Sequence, residues 1–256
     1  MKEPTINNLF PTPIYMTNMD RPFTKQELKF VEEQKKHCTK NQGNINTKDN
    51  YILNKKEFKN IKKFIDQCCK DYLERIICPK NNIELYITQS WLNYTEENQF
   101  HHQHAHPNSV VSGVLYFDCD KENDKIKFTN SKGYQQIKPE IDQYNIWNSE
   151  TWWFALETGQ LVMFPSSTIH QVETKKGTNT RISLAFNTFY KGTIGSNNVV
   201  WPRPSSPTII GKVPLAVLSN LVATGLGYIV ASIQVVLASV PIYQTPSGIC
   251  FPDPAP

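Results

Sequence analysis

The sequence has no long basic or acidic run, and this absence limits the partners that the chain can bind. Its 256 residues include 27 Lys and Arg and 23 Asp and Glu, and the resulting net charge of +4 is spread along the chain. A nucleic-acid-binding domain usually gathers its basic side chains into a stripe, and the sequence carries no such signal. Because 39% of the residues are hydrophobic and 20% are charged, the composition also excludes a disordered chain.

The sequence also lacks a regular cysteine framework and an N-terminal apolar run. The adjacent Cys68 and Cys69 fall in a predicted helix, where their sulfurs cannot easily be bridged within one chain. Residues 1–20 contain no continuous apolar stretch of the kind found in a signal peptide. We therefore expect a protein of a reducing, cytoplasmic compartment.

Charged residues are missing altogether from Val213 to Pro252. A helix of about 20 apolar residues is long enough to cross a bilayer, so residues 213–240 are a candidate membrane tether. Asn220 and Gln234 weaken this interpretation, and the alternative is an artefact at the end of the reading frame. We predict three segments: a folded domain at 1–198, a Pro/Ser-rich linker at 199–212 and an apolar tail at 213–256.

Helical patterns occupy the first third of the chain and strand patterns follow them. Thr24 and Glu27 are spaced as a capping box, and apolar residues from Phe58 to Ile76 recur at helical intervals. Short segments rich in β-branched and aromatic residues come next, separated by Gly, Asn, Asp and Pro; they are 83–87, 110–117, 125–128, 151–156, 160–164 and 181–189. This pattern predicts a mainly β fold of the jelly-roll type with N-terminal helices packed on it.

Histidine is concentrated in one place. Four of the six histidines lie within six positions, at 101, 102, 104 and 106. In an extended segment residues i and i+2 face the same side, so His104 and His106 can present two imidazoles to one metal ion, as can His102 and His104. His170 is the obvious third ligand from a distant strand. Imidazole suits Fe, Zn, Cu and Ni, so the ligand type does not choose the metal.

Arg181 begins a predicted strand eleven residues after His170. If its side chain points into the fold, the buried guanidinium needs a partner, and its planar fork suits a carboxylate. Metal ligands beside an inward arginine are the parts of a site for a metal-chelating dicarboxylic acid. An ordinary surface salt bridge is the alternative for Arg181 taken alone.

Three segments in this order resemble a known family. They are HAHPNSVVSGVLY at 104–116, GQLVMFPSSTIH at 159–170 and RISLAFN at 181–187. The chain is similar over about residues 8–198 to the 2-oxoglutarate/Fe(II)-dependent oxygenases found widely in bacteria and marine phages. The resemblance implies a double-stranded β-helix, the jelly roll of that family, and a dioxygenase that hydroxylates a substrate and releases succinate and CO2.

The resemblance also implies roles for individual residues. His104, His106 and His170 match the Fe(II) ligands, although the commoner triad of the superfamily has a carboxylate in the middle position. Three further residues match positions around 2-oxoglutarate, the co-substrate used with O2. The resemblance implies that Arg181 anchors the co-substrate, that Ser183 assists Arg181, and that Asn93 faces the co-substrate. The substrate itself, a small molecule or a peptide, is not specified by the sequence.

Two other functions compete with this interpretation. One is a non-catalytic jelly-roll module that binds a partner, and the other is a three-histidine cupin-like metalloenzyme that needs no 2-oxoglutarate. Arg181 separates the oxygenase from the cupin, because only the oxygenase needs a carboxylate anchor at that position.

Overall fold

The computed structural model describes residues 2–130 and 139–194. Residues 195–256, which include the predicted linker and the candidate membrane tether at 213–240, lie outside the described residues. Met1–Gly192 form one compact unit. No helix in the described ranges has both the length and the apolarity needed to cross a bilayer.

Two α-helices precede most of the strands. Helix α1 spans Lys25–Gln34, and its predicted capping box is present, because Thr24 Oγ1 accepts from the Glu27 amide and the Glu27 carboxylate accepts from the Thr24 amide. Helix α2 spans Lys59–Tyr72 and continues as a π-helical turn over Leu73–Ile77. Its buried residues recur at helical intervals, so one face of α2 packs against the protein.

The described residues form eleven strands in two antiparallel sheets, so the fold is mainly β as predicted. The larger sheet has the order β1-β9-β6-β11-β4-β3-β2, and the smaller one has the order β5-β10-β7-β8. The strands are β1 (Tyr15–Asn18), β2 (Cys38–Lys40), β3 (Ile45–Thr47), β4 (Ile83–Thr95), β5 (His101–His104), β6 (Val111–Asp118), β7 (Lys125–Thr129), β8 (Thr151–Ala155), β9 (Gln160–Pro165), β10 (His170–Val172) and β11 (Arg181–Gly192).

The larger sheet separates two hydrophobic cores. On one face Leu184 and Phe186 of β11 belong to the same cluster as Ile61 and Ile65 of α2, so the helices cover this side. On the other face Tyr116 and Phe164 cluster with residues of the smaller sheet, Ile126 and Phe128 among them. Alternate residues of the central strands therefore face the space between the two sheets.

Gly113 on β6 marks how closely the central strands are packed. A Cβ atom at this position would overlap the ring of Phe186 on the adjacent strand β11 and crowd the Met163 side chain on β9. Only glycine leaves room for these neighbours, which belong to the core beneath the helices.

Candidate metal and co-substrate site

Antiparallel pairing brings three of the predicted ligands together. His104 ends β5, His170 begins β10, and the two residues are directly paired in the smaller sheet. His106 follows two residues after His104, and its amide donates to the carbonyl of Ser166 at 2.9 Å. Ring centroids of His104 lie 4.4 Å from His170 and 4.8 Å from His106. Ligand nitrogens of all three residues lie within 4.8 Å of one another.

Backbone carbonyls orient two of these rings. His104 Nδ1 lies 2.8 Å from the carbonyl oxygen of His102, and His170 Nδ1 lies 3.0 Å from that of Thr168. A carbonyl oxygen can only accept, so both Nδ1 atoms carry the proton and both Nε2 atoms keep a free lone pair. This is the arrangement that protein ligands of metals commonly have, with one ring nitrogen held by the protein and the other bare.

The three imidazoles are neutral near pH 7. Burial, and then the positive charge that a protonated His104 would add, lower the pKa of His106 to about 4 and that of His170 to about 3. Burial also lowers the pKa of His104. Because a metal ion binds only the unprotonated ring, these residues need no deprotonation to become ligands.

A second group of three histidines shares His104 with the first. Ligand nitrogens of His101, His102 and His104 also lie within 4.8 Å of one another. However, the side-chain amide nitrogen of Asn44 lies 3.4 Å from His101 Nδ1. An amide nitrogen can only donate, so Nδ1 accepts and the proton of the neutral His101 ring is on Nε2. With the proton there, His101 does not offer Nε2 to a metal, and the group containing His106 and His170 is the better-prepared one.

A buried network of hydroxyl groups lies beside the triad. Ser166, whose carbonyl accepts from the His106 amide, bonds through Oγ to Ser109 at 2.7 Å and to Ser112 at 2.8 Å. Ser112 Oγ in turn donates to Asn187 Oδ1 at 2.8 Å. These bonds join β6, β9 and β11 beneath the loop that carries His106, and they hold its backbone in place.

Arg181 is buried, and its partner is a protein carboxylate. Its Nη1 donates to Asp124 Oδ1 at 2.7 Å, and Nη1 and Nη2 both approach the carbonyl oxygen of Glu173, at 3.3 and 3.4 Å. Lys175 Nζ lies 3.8 Å from the other oxygen of Asp124, and its side chain is fully buried. Two cations and one carboxylate are therefore enclosed together, so the group as a whole is positive.

One edge of the Arg181 guanidinium is left over. Nη1 contacts both Asp124 and the Glu173 carbonyl, and Nη2 contacts the Glu173 carbonyl. Nε makes no hydrogen bond within the described residues. The Nε–Nη2 edge is therefore available for a carboxylate in the parallel, two-bond geometry that arginine favours.

Asn93, Ser183 and Tyr116 form a row across three strands of the larger sheet. Ser183 on β11 is paired with Asn93 on β4 and with Tyr116 on β6. Arg181 lies two residues before Ser183 and so faces the same side. Asn93 Oδ1 and Tyr116 Oη are buried without a hydrogen-bond partner within the described residues. Buried polar atoms are seldom left unpaired in proteins, so this row offers binding groups to a ligand.

Aromatic residues enclose part of the site. The ring of Phe164 lies 4.5 Å from His170 and that of Trp91 lies 6.1 Å from His106, so both rings lie beside the metal ligands. Trp152 and Trp153 do not line the site, because they are 40% and 50% exposed on the edge strand β8. Trp153 is instead covered by Lys125, whose Nζ lies 4.0 Å from the ring centroid.

Sequence reasoning missed three residues of this region. Asp124 and Lys175 surround Arg181, and Asn44 orients His101. None of the three belongs to a motif, and each meets its partner through the pairing of distant segments. The run of acidic residues around Asp124 was the only signal, and it is more typical of a solvated turn.

Comparisons with known proteins agree with the geometry. Residues 89–187 match the model of a family described as "Putative 2OG-Fe(II) oxygenase". The matched segment contains the three histidines, Arg181 and the row on the larger sheet. Over this segment the chain matches the 2OG-Fe(II) oxygenases, so the resemblance seen in its motifs is confirmed there.

Solved structures with a similar arrangement are distant in sequence. A 2OG-Fe(II) oxygenase family protein from Burkholderia pseudomallei is 14% identical, with a TM-score of 0.45 over 68% of this chain and 83% of that one. A prolyl-4-hydroxylase from Pseudomonas putida is 13% identical, with a TM-score of 0.45 over 69% and 92%. HygX from Streptomyces hygroscopicus, crystallised with nickel, 2-oxoglutarate and hygromycin B, is 10% identical, with a TM-score of 0.45 over 77% and 88%. A comparison with curated protein sequences found no match.

Proposed function

We propose that this oxygenase holds Fe(II) with His104, His106 and His170 and hydroxylates a small molecule or a peptide, using 2-oxoglutarate and O2. We propose further that its two facing sheets are a double-stranded β-helix with the site between them. The observation that carries the proposal is the convergence of three neutral imidazoles from two paired strands.

The donor set fits a divalent transition metal. Two of the three Nε2 atoms are bare because Nδ1 is bonded to a carbonyl, and imidazole is a good ligand for Fe(II). Three neutral ligands leave the charge of the ion uncompensated, so an anionic co-substrate is favoured beside them. His104, His106 and His170 would therefore hold the metal, and the anionic 2-oxoglutarate would offset its charge.

The surroundings of Arg181 fit the distal carboxylate of 2-oxoglutarate. The free Nε–Nη2 edge can bind both carboxylate oxygens, and the enclosed group formed with Asp124 and Lys175 carries an excess positive charge. Ser183 lies between Arg181 and the metal ligands on the same face, and Asn93 and Tyr116 flank it with unpaired polar atoms. These three residues would complete the co-substrate's hydrogen bonds.

The chemistry that Fe(II) supplies when bound is the use of O2 to oxidise a substrate C–H bond while 2-oxoglutarate becomes succinate and CO2. The chain itself binds, orients and excludes water. Arg181 and Ser183 hold the co-substrate at one end, and the backbone carbonyls of His102 and Thr168 keep the imidazole rings in position. Phe164 packs against His170 and keeps water away from that side of the site.

Binding of 2-oxoglutarate to the nickel-loaded full chain, measured by calorimetry, tests the proposal without requiring the substrate. We expect stoichiometric nickel binding and metal-dependent binding of 2-oxoglutarate, with no binding of either by His170→Ala. Formation of succinate by the Fe(II) enzyme in air, and its absence under nitrogen, should follow. A wild-type chain that binds nickel but not 2-oxoglutarate would contradict the proposal.

A further inference from the structure

Along the paired strands β5 and β10, His101 lies between the metal triad and the residue that contacts Arg181. Strands β5 and β10 are antiparallel, with His104 opposite His170 and His101 opposite Val172. The next residue along β10 is Glu173, whose carbonyl accepts from Arg181. The position of His101 on β5 therefore lies between the level of the paired metal ligands and the level of Glu173.

The ring of His101 packs against one of the proposed metal ligands. It stacks on His104 with centroids 4.9 Å apart and planes 18° apart. His101 also borders a cavity of about 570 Å³ whose wall includes Val172 and Glu173. This cavity therefore borders both His101 and Glu173, the residue whose carbonyl accepts from Arg181.

Asn44 determines which nitrogen of His101 can donate. Asn41 Nδ2 donates to Asn44 Oδ1 at 3.0 Å, and in this orientation the Asn44 Nδ2 faces His101. The Asn44 Nδ2 then donates to Thr95 Oγ1 at 3.2 Å and lies 3.4 Å from His101 Nδ1. The His101 ring therefore carries N–H at Nε2, on the side away from Asn44, and is prepared to donate to an anion. Thr95 is also the strand partner of Arg181, so this chain of contacts joins His101 to the arginine.

We propose that His101 is a further co-substrate-binding residue, which donates its Nε2–H to the carboxylate of 2-oxoglutarate that Arg181 holds. The inference rests on the proposed function, since it assigns a second donor to the same carboxylate. It also separates the roles of neighbouring histidines: His104 offers a bare nitrogen to the metal, and His101 offers a hydrogen to the acid.

The test compares two substitutions with opposite expectations. His101→Gln keeps an N–H donor of similar reach, whereas His101→Phe keeps a ring that can stack on His104 but has no donor. Each is measured as the nickel-loaded full chain, with nickel content by mass spectrometry and 2-oxoglutarate affinity by calorimetry. The control is His37→Ala, because His37 is exposed and lies outside the site.

We expect one nickel ion per chain in all of these proteins. The Kd for 2-oxoglutarate should rise about ten- to a hundredfold in His101→Phe and stay within about threefold of wild type in His101→Gln and His37→Ala. An unchanged Kd in His101→Phe would overturn the inference, and so would loss of nickel in His101→Gln, which would make His101 a metal ligand. If the wild-type chain binds no 2-oxoglutarate, the proposed function fails first, and the two failures are therefore distinguishable.

Discussion

Arg181 Nη1 donates to Asp124 Oδ1 at 2.7 Å, and the two side chains are 3% and 0% exposed. The pair joins the start of β11 to the turn before β7, 57 residues earlier in the chain. Asp124 Oδ2 also accepts from the amide of Asp120 at 2.8 Å. The carboxylate is thus fixed by the backbone of its own turn, and it holds Arg181 by one side of the guanidinium.

Removing the charge of Asp124 should destabilise the protein. Asp124→Asn keeps the shape but leaves Arg181 and Lys175 enclosed without an anion, and breaking a buried ion pair typically costs about 3 to 5 kcal/mol. Urea denaturation should record this loss. The control is Glu157→Gln, which breaks an exposed pair with Lys121 and should change stability little. Equal stability of the two variants would mean that Asp124 is not needed to balance the buried cations.

Replacing Arg181 by lysine should weaken the binding of 2-oxoglutarate. Lysine keeps the charge but cannot bond a carboxylate along a planar edge. The loss of a charge-assisted hydrogen bond, about 1.5–3 kcal/mol, corresponds to about a ten- to hundredfold rise in Kd. Calorimetry on the nickel-loaded protein measures this rise in Kd, with Arg75→Lys in the π-helical turn after α2 as the control. An unaltered Kd in Arg181→Lys would argue for the cupin-like alternative, which needs no anchor.

Substitution of either paired histidine should abolish metal binding without unfolding the chain. His104→Ala and His170→Ala each remove one of three ligands, and the two hydrophobic cores remain intact. Metal content by mass spectrometry should fall to background for Fe(II) while the circular dichroism spectrum stays that of wild type. His102→Ala should retain its metal. If His170→Ala retained the metal and His102→Ala lost it, the ion would instead be assigned to the group of His101, His102 and His104.

The metal-free protein should lose stability as the pH falls below about 6.5. The folded-state pKa values of His106 and His170, about 4 and about 3, lie below the ordinary value of 6.5. Between these limits the unfolded chain binds protons that the folded chain does not, so the free energy of unfolding falls with pH, by up to about 1.4 kcal/mol per pH unit for each histidine.

Urea denaturation of the metal-free protein at pH 7.5 and pH 5 measures this effect. His170→Gln removes one titrating group and should therefore show a smaller loss between the two pH values than wild type. The exposed His37 provides the control, since His37→Gln should leave the difference unchanged. If His170→Gln and wild type lose the same stability, His170 is not held neutral in the folded protein.

A chain that ends at Asn198 should fold cooperatively and bind Fe(II). All residues of the site lie within the compact unit Met1–Gly192. Thermal denaturation and metal analysis of the shortened chain check this expectation, and unfolding of that chain would assign the tail to the core. Sedimentation of the full chain with membranes, and not of the shortened one, tests the separate prediction that residues 213–240 are a membrane tether.

Local sequence patterns predict much of the fold and half of the site. The capping box of α1, the amphipathic face of α2 and the strands β4, β6, β7, β8, β9 and β11 follow from periodicity, which short-range packing enforces. The short strands β1, β2, β3, β5 and β10 do not follow, because three or four residues carry too little pattern. The i, i+2 spacing of His104 and His106, together with the motifs that follow it along the chain, is sufficient to indicate a metal site.

The remainder was decided by tertiary structure. The sequence alone determined that His104, His106 and His170 are candidate ligands and that Arg181 needs a carboxylate. It did not determine that Asp124 lies beside Arg181, that Asn44 gives His101 its proton on Nε2, or that Trp152 and Trp153 face outward. These facts depend on the register of strands far apart in the chain and on which strand forms a sheet edge. The register of a strand is set by which of its two faces is buried in the core. No single residue or local motif determines it.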